Sequence, residues 1–184
     1  MTEVMREAFG QLPREEGGGR VEKFVLRSDS VKVELLSLGC IVAALEAKGR
    51  DGAFADVVLG FDSLEAYPQF ALPGLRLYKH LQHATRACFQ RNTRPLGMKL
   101  LARPPATGRT LEVHTTQPGL QFYTANNLDG SLEGKGSAAY PKHSAFCLET
   151  QGWPDAINKP HFPDSLLRPQ EEYNHTTWLV FSAA

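Results

Sequence analysis

Cysteine is scarce in this chain, and the few thiols present form no recognisable motif. Cys40, Cys88 and Cys147 are far apart and stand in no CxxC or histidine-containing spacing. Neither a zinc site nor a disulfide framework is therefore predicted. Reduced thiols are typical of a cytoplasmic protein, and no metal or cofactor is expected.

Long apolar runs are also missing. No stretch of about 18 apolar residues occurs. The first residues carry mixed charges and lack the apolar core of a secretory signal. We therefore expect neither a membrane span nor secretion.

The chain also carries no formal net charge, because 20 Lys and Arg residues balance 20 Asp and Glu residues. No overall field would attract nucleic acid or an anionic membrane, so we expect a small or uncharged ligand and infer no obligate protein partner. The balance hides a basic segment over 71–98, which permits one weakly periodic helix over 75–90. A solvated linker is the favoured interpretation of this segment. An anion-binding surface and a metal pair at His80 and His83 are the alternatives.

What the chain does contain fits one globular domain over 1–184. With 184 residues, of which 42% are hydrophobic, the chain can bury roughly 70% of its unfolded surface in one core. Residues 1–19, with Pro13 and a run of three glycines, indicate a flexible arm. N-terminal strands are expected over 20–70 and C-terminal strands over 99–184.

Alternation of polar and apolar residues predicts short strands separated by turns. Val21–Leu26 and Val31–Leu35 flank a Ser-Asp-Ser turn and indicate a hairpin. Short strands without a sustained helical period favour an antiparallel all-β sandwich and argue against a parallel α/β sheet. The other predicted strands are Leu38–Leu45, Asp56–Leu59, Thr110–His114, Leu120–Thr124, Ala145–Glu149 and Trp178–Phe181.

Five longer segments carry specific motifs, namely Leu38–Leu45, Asp56–Tyr67, Leu111–Thr124, Tyr140–Asn158 and Leu167–Trp178. Together they resemble the aldose 1-epimerases, or galactose mutarotases. The resemblance covers about 20–70 and 99–184 and leaves 71–98 unmatched. It implies a large antiparallel β-supersandwich. Because members of the family are roughly twice as long as this chain, we expect an incomplete form of that fold.

The resemblance also implies an acid–base reaction of hexose metabolism. Members interconvert the α and β anomers of galactose and glucose without a cofactor. A base takes the proton of the C1 hydroxyl while an acid protonates the ring oxygen. By resemblance the base is Glu149, and Gln121 contacts a sugar hydroxyl. Considered as single residues, both would be interpreted as solvent-facing positions on strands.

The general acid of the family is a histidine in an Asn-His-Ser/Thr-Tyr-Phe-Asn strand, and this chain has no counterpart of that strand. An Asn-Arg pair, a His-Gly-Gly element and a substrate-binding Asp are missing with it. Two functions follow: a weak or inactive aldose 1-epimerase-like isomerase, or a non-catalytic form that binds sugar or is a non-functional, splice-type fragment. The histidines, all outside the acid motif, are His80, His83, His114, His143, His161 and His175.

Overall fold

The structure is a computed structural model that describes residues 3–14, 18–67, 98–102 and 107–183. Within these ranges the chain forms ten strands in three antiparallel sheets, with three short 3-10 helices. The predicted antiparallel all-β class is therefore confirmed. The strands are β1 (Glu3–Leu12), β2 (Gly19–Arg27), β3 (Val31–Leu36), β4 (Val42–Lys48), β5 (Phe54–Asp56), β6 (Met98–Ala102), β7 (Arg109–Thr115), β8 (Gly119–Tyr123), β9 (Cys147–Gln151) and β10 (Thr177–Ala183).

Two sequence predictions concern parts of the chain that the structure does not describe. The helix predicted over 75–90 lies outside the described residues, as does the rest of the basic segment 71–98 except Met98. His80 and His83 lie in the same undescribed stretch. A single domain over 1–184 likewise stays a prediction. No helix in the described ranges is long and apolar enough to span a bilayer.

The first sheet contains β1 to β5 in chain order, so each strand pairs with its neighbours in sequence. The prediction of a flexible arm over 1–19 is wrong for Glu3–Leu12, because these residues form β1, which pairs with β2 from end to end. An Arg6–Glu22 ion pair joins the two strands, and Phe9 packs against the sheet's core. Gly18 (φ +59) directly precedes β2 and donates its N–H to the carbonyl oxygen of Pro13.

One face of the first sheet carries a continuous chain of ion pairs across four strands. The ammonium group of Lys23 lies 2.8 Å from Glu7 and 3.2 Å from Glu34. That of Lys32 lies 2.8 Å from both Glu34 and Glu46. Glu34 therefore sits between two cations at the centre of the ladder. Desolvation alone would raise the pKa of Glu34, but hydrogen bonds from Lys32 and Lys23 outweigh it and hold that pKa below its usual range.

This ladder predicts an acid-sensitive contribution to stability. Since the folded-state pKa of Glu34 is depressed, its contribution is present above the unfolded-state pKa and is lost as pH falls through the folded value. In urea titrations at a series of pH values, Glu34→Gln should show a shallower loss of unfolding free energy on acidification than the wild type. Glu172→Gln, which changes an exposed carboxylate outside the ladder, is the control. Equal acid dependence in the wild type and Glu34→Gln would contradict the prediction.

The strand predicted at Asp56–Leu59 is corrected by the structure. β5 ends at Asp56, and Val57 and Leu59 are 42% and 39% exposed. The Asp56 carboxylate accepts hydrogen bonds from the backbone N–H groups of Leu45 and Val58, each at 3.1 Å. A side chain thus takes the place of a ladder partner, and the chain leaves the sheet. The core beside this sheet consists of Val21, Leu36, Ala43, Leu64 and Tyr67.

The second sheet has the order β10-β7-β6, and the third is the β8–β9 pair. The strand predictions at Thr110–His114 and Trp178–Phe181 are confirmed by β7 and β10. Val113 of β7 and Leu120 of β8 are each 1% exposed and contact one another. The second and third sheets therefore share a small core, which supports one face of the β8–β9 pair.

Contacts between distant parts of the chain join the first sheet to the C-terminal half. The Tyr140 hydroxyl donates to the carbonyl oxygen of Gly60 at 2.9 Å and accepts from the Gly60 N–H at 3.3 Å. The ammonium group of Lys135 lies 2.6 Å from the Asp56 carboxylate. The Arg109 guanidinium donates to a carbonyl oxygen of β4. These contacts form a junction between the two halves.

Candidate functional site

Strand pairing brings the two predicted site residues together. β8 and β9 pair antiparallel with Gln121 directly opposite Glu149. Side chains of directly opposed residues project from the same face of a sheet, with Cβ atoms about 5 Å apart. Leu120 and Leu148 project from the opposite face, into the shared core. The carboxylate and the amide therefore share the outer face of the pair.

Hydroxyl groups on the inner face fasten β9 to the second sheet. Thr150, which follows Glu149, has its hydroxyl 3.1 Å from that of Thr177 in β10. The Thr177 hydroxyl is 2.9 Å from that of Thr115, whose side chain is fully buried. Three strands of two sheets are thus linked by hydroxyls. The backbone that carries Glu149 is held by its inner face, which leaves the outer face open.

Burial sets the electrostatics of the Glu149 carboxylate. The residue is half-buried, and within the described ranges its side chain makes no hydrogen bond or ion pair. Desolvation raises its pKa above the usual range of a glutamate, because removing water penalises the charged form. A carboxylate with a raised pKa holds a captured proton more firmly, which suits a general base.

Gln121 adds a hydrogen-bonding amide beside this carboxylate. The residue is half-buried, and its side chain makes no hydrogen bond to the described part of the chain. An amide offers both donors and an acceptor, so it can bind a hydroxyl adjacent to one held by Glu149. The pair can take a proton from one hydroxyl and hold another. These are the groups that the base side of an acid–base site requires.

Other residues, which the sequence motifs did not single out, lie on the same outer face. Cys147 and Gln151 flank Glu149 at two-residue spacing, and Tyr123 lies opposite Cys147. The period-two alternation through Glu149 was sufficient to find the two flanking residues. Although Cys147 is exposed, desolvation and then the nearby Glu149 charge raise the pKa of its thiol. Cys147 is therefore disfavoured as a thiolate.

No described histidine makes a hydrogen bond to Glu149. Nδ1 of His143 lies 2.9 Å from the carbonyl oxygen of Thr124, in the connection between β8 and β9. His114 lies 3.1 Å from Glu112. His161 and His175 contact aromatic neighbours, Phe162 and Tyr173. None of these histidine contacts involves Glu149 or Gln121.

A cavity in the described part of the chain lies beyond one end of the β8–β9 ladder. Its volume is about 1020 Å³, and its walls include Gln117, Trp153 and Tyr173. The Gln117 side chain is buried and donates a hydrogen bond to the Tyr173 hydroxyl. Neither Glu149 nor Gln121 lines this cavity. The predicted site therefore lies outside this cavity.

Comparison with known proteins identifies the family. The model of the aldose 1-epimerase family matches residues 79–180, which is more than half of the chain. The chain belongs to the aldose 1-epimerase family. The match includes residues 79–98, which the sequence analysis left unmatched, together with both Gln121 and Glu149.

Several members of the aldose 1-epimerase family are similar over long stretches. The galactose mutarotases of Bos taurus and Homo sapiens are each 31% identical to this chain, in alignments that cover all of both proteins over 344 positions. Because the chain has 184 residues, nearly half of these positions have no residue of this chain. The aldose 1-epimerase of Escherichia coli is 41% identical over 75 residues, which are 40% of this chain and 21% of that protein.

A solved structure of an aldose epimerase homologue from C. elegans is also similar. It superposes with a TM-score of 0.48 and 19% sequence identity, covering 98% of this chain and 66% of the homologue.

Proposed function

We propose that the chain binds galactose or glucose at the outer face of β8–β9, with Glu149 as the base of an aldose 1-epimerase reaction. The observation that carries this proposal is the direct opposition of Gln121 and Glu149 in the ladder. The raised pKa of Glu149 supports the role of a base. Family membership supports a sugar as the small-molecule ligand.

The reaction follows from the chemistry of a cyclic aldose. The Glu149 carboxylate takes the proton of the C1 hydroxyl, the C1–O bond of the ring breaks, and the ring oxygen needs a proton. The bond to the aldehyde carbon then rotates, and the hydroxyl formed from the ring oxygen attacks the other face of that carbon. This hydroxyl gives its proton back to the donor as Glu149 returns a proton to the C1 oxygen. Because the chain has no counterpart of the family's acid motif, water supplies the proton for the ring oxygen. Without a positioned acid, interconversion should be weak.

A second function, sugar binding without catalysis, is favoured by the contacts of the histidines. His143 contacts Thr124 and His114 contacts Glu112. Sugar binding by Glu149 and Gln121 does not require an acid, whereas opening of the sugar ring does. Binding at the outer face is therefore common to both functions, and only a rate distinguishes them.

Binding is tested by titrating galactose into isotope-labelled protein and following backbone amide shifts. We expect saturable shifts in β8 and β9 with a dissociation constant weaker than millimolar. Glu149→Gln and Gln121→Met should each abolish or weaken the shifts. Gln11→Met, at an exposed position of β1, is the matched control and should behave like the wild type. Shifts that persist unchanged in both site variants would overturn the proposal.

A further inference from the structure

Gln151 lies on the outer face of β9, two residues beyond Glu149. Its partner across the ladder is Gly119, which has no side chain. A Cβ atom built on Gly119 would lie 3.6 Å from Cγ of Gln151 and 3.1 Å from the carbonyl oxygen of Gly152. The Gln151 side chain therefore lies beside the space that a side chain at position 119 would occupy, and any such side chain would press on the backbone behind it.

The amide of Gln151 has no partner in the described part of the chain. The residue is half-buried, and its side chain makes no hydrogen bond there. Gln117, in contrast, is buried with its amide bonded to Tyr173. A partly desolvated amide is destabilising unless something satisfies it, and a ligand hydroxyl can serve as both donor and acceptor.

The outer face thus places two amides around one carboxylate. Gln121 stands across the ladder from Glu149, and Gln151 stands along the same strand at a spacing of about 7 Å between backbone positions. Seen from Glu149, the backbone positions of the two glutamines lie in roughly perpendicular directions, one across the ladder and one along the strand. A ring that presents one hydroxyl to the carboxylate can present two others to the amides.

We propose that Gln151 is a further sugar-contacting residue, whose amide binds a hydroxyl of an aldohexose held at Glu149. This inference rests on the proposed function. It adds a specificity-determining contact, because Gln151 distinguishes sugars by the presence of one hydroxyl. The effect belongs to binding, and Gln151 takes no part in proton transfer.

The test measures dissociation constants for galactose and for a series of monodeoxygalactoses by amide-shift titration. Gln151→Met keeps the length of the side chain and removes the amide, and it should weaken galactose binding about fivefold, the value of one net hydrogen bond. For one deoxy sugar, wild type and Gln151→Met should bind equally. A merely structural role would weaken binding of every sugar by the same factor. Gln151→Glu retains an acceptor and should restore part of the affinity.

The outcomes separate this inference from the proposed function. Weaker binding in Glu149→Gln and Gln121→Met, with unchanged binding in Gln151→Met, overturns the inference and leaves the proposed function standing. A uniform loss across all sugars in Gln151→Met also overturns it. Unchanged binding in all three variants, or no binding by the wild type, overturns both. Gln11→Met again serves as the control, and unchanged amide spectra outside β8–β9 establish that each variant is folded.

Discussion

In a polarimetric assay started with fresh α-galactose, the rate of mutarotation catalysed by this chain should be lower than that of the bovine galactose mutarotase. The expected difference is on the order of 10²-fold or more. A positioned proton-transfer group contributes on the order of 10² to 10⁴ in rate, and this chain has no counterpart of the strand that carries the histidine acid in the family. Glu149→Gln should reduce the residual rate to that of the uncatalysed reaction. A rate equal to that of the bovine protein would contradict the prediction.

The pH dependence of any residual rate provides the control for this assay. Because burial raises the pKa of Glu149, the carboxylate becomes an available base at a higher pH than an ordinary glutamate. The rate should therefore rise with pH through that raised pKa and then level off. Gln11→Met should show the same profile as the wild type. A profile that is unchanged in Glu149→Gln would assign the base to another group.

Tyr140→Ala should destabilise the protein by about 3–5 kcal/mol, the usual cost of deleting a large buried ring. Tyr140 is 9% exposed, and its ring packs closely under Gly134, where no Cβ would fit. Its hydroxyl also accepts from the Lys135 N–H at 3.1 Å, in addition to its two bonds with Gly60. Urea unfolding followed by fluorescence and circular dichroism measures the loss.

Tyr140→Phe separates the hydroxyl from the ring. We expect a loss of about 1–3 kcal/mol, because backbone groups of Gly60 and Lys135 then lack their partner. Ile157→Ala, at a residue 68% exposed, is the control and should change the unfolding free energy far less than Tyr140→Ala. An unchanged urea midpoint in Tyr140→Ala would show that the junction contributes nothing to stability. Failure of Tyr140→Ala to fold at all would agree with the expectation.

Strands were the most predictable part of the fold. Val31–Leu35 alternates strictly, and the structure has β3 over Val31–Leu36. Alternation reports only local fit to a pleated surface, so it does not locate the ends of strands. At Asp56 a side chain takes over the backbone hydrogen bonds, and the predicted strand ends three residues early. β1 was missed because a glycine run has the same composition in a linker as in a hairpin turn.

The sequence indicated candidate site residues, whereas their geometry was unpredictable. The motifs around Gln121 and Glu149 indicated both, but their pairing depends on the register between two strands separated by the long connection 124–146. A shift of one residue would send Glu149 to the inner face. Register here depends on Leu120 and on the threonine hydroxyls, which are tertiary contacts. No local pattern encodes them.

Apolar residues show where a sequence-based core prediction fails. Phe122 and Phe146 resemble core residues, yet they are 38% and 43% exposed and contact each other at a ring distance of 6.1 Å. Ile41, in contrast, packs against the core of the first sheet. Whether an apolar side chain is buried depends on which side chains of other strands pack against it. That information is not local to the residue.

The junction at Tyr140 also indicates how long the connection between the two halves of the chain can become before the junction is weakened. The hydrogen bonds between Gly60 and Tyr140 join residues 80 positions apart. The entropy lost on closing such a loop grows only with the logarithm of its length, so doubling the connecting chain costs about 0.6 kcal/mol. Extending the connection between residues 67 and 98 would therefore weaken the junction less than removing the Tyr140 hydroxyl. The two ends of this chain can remain joined across connections of very different size.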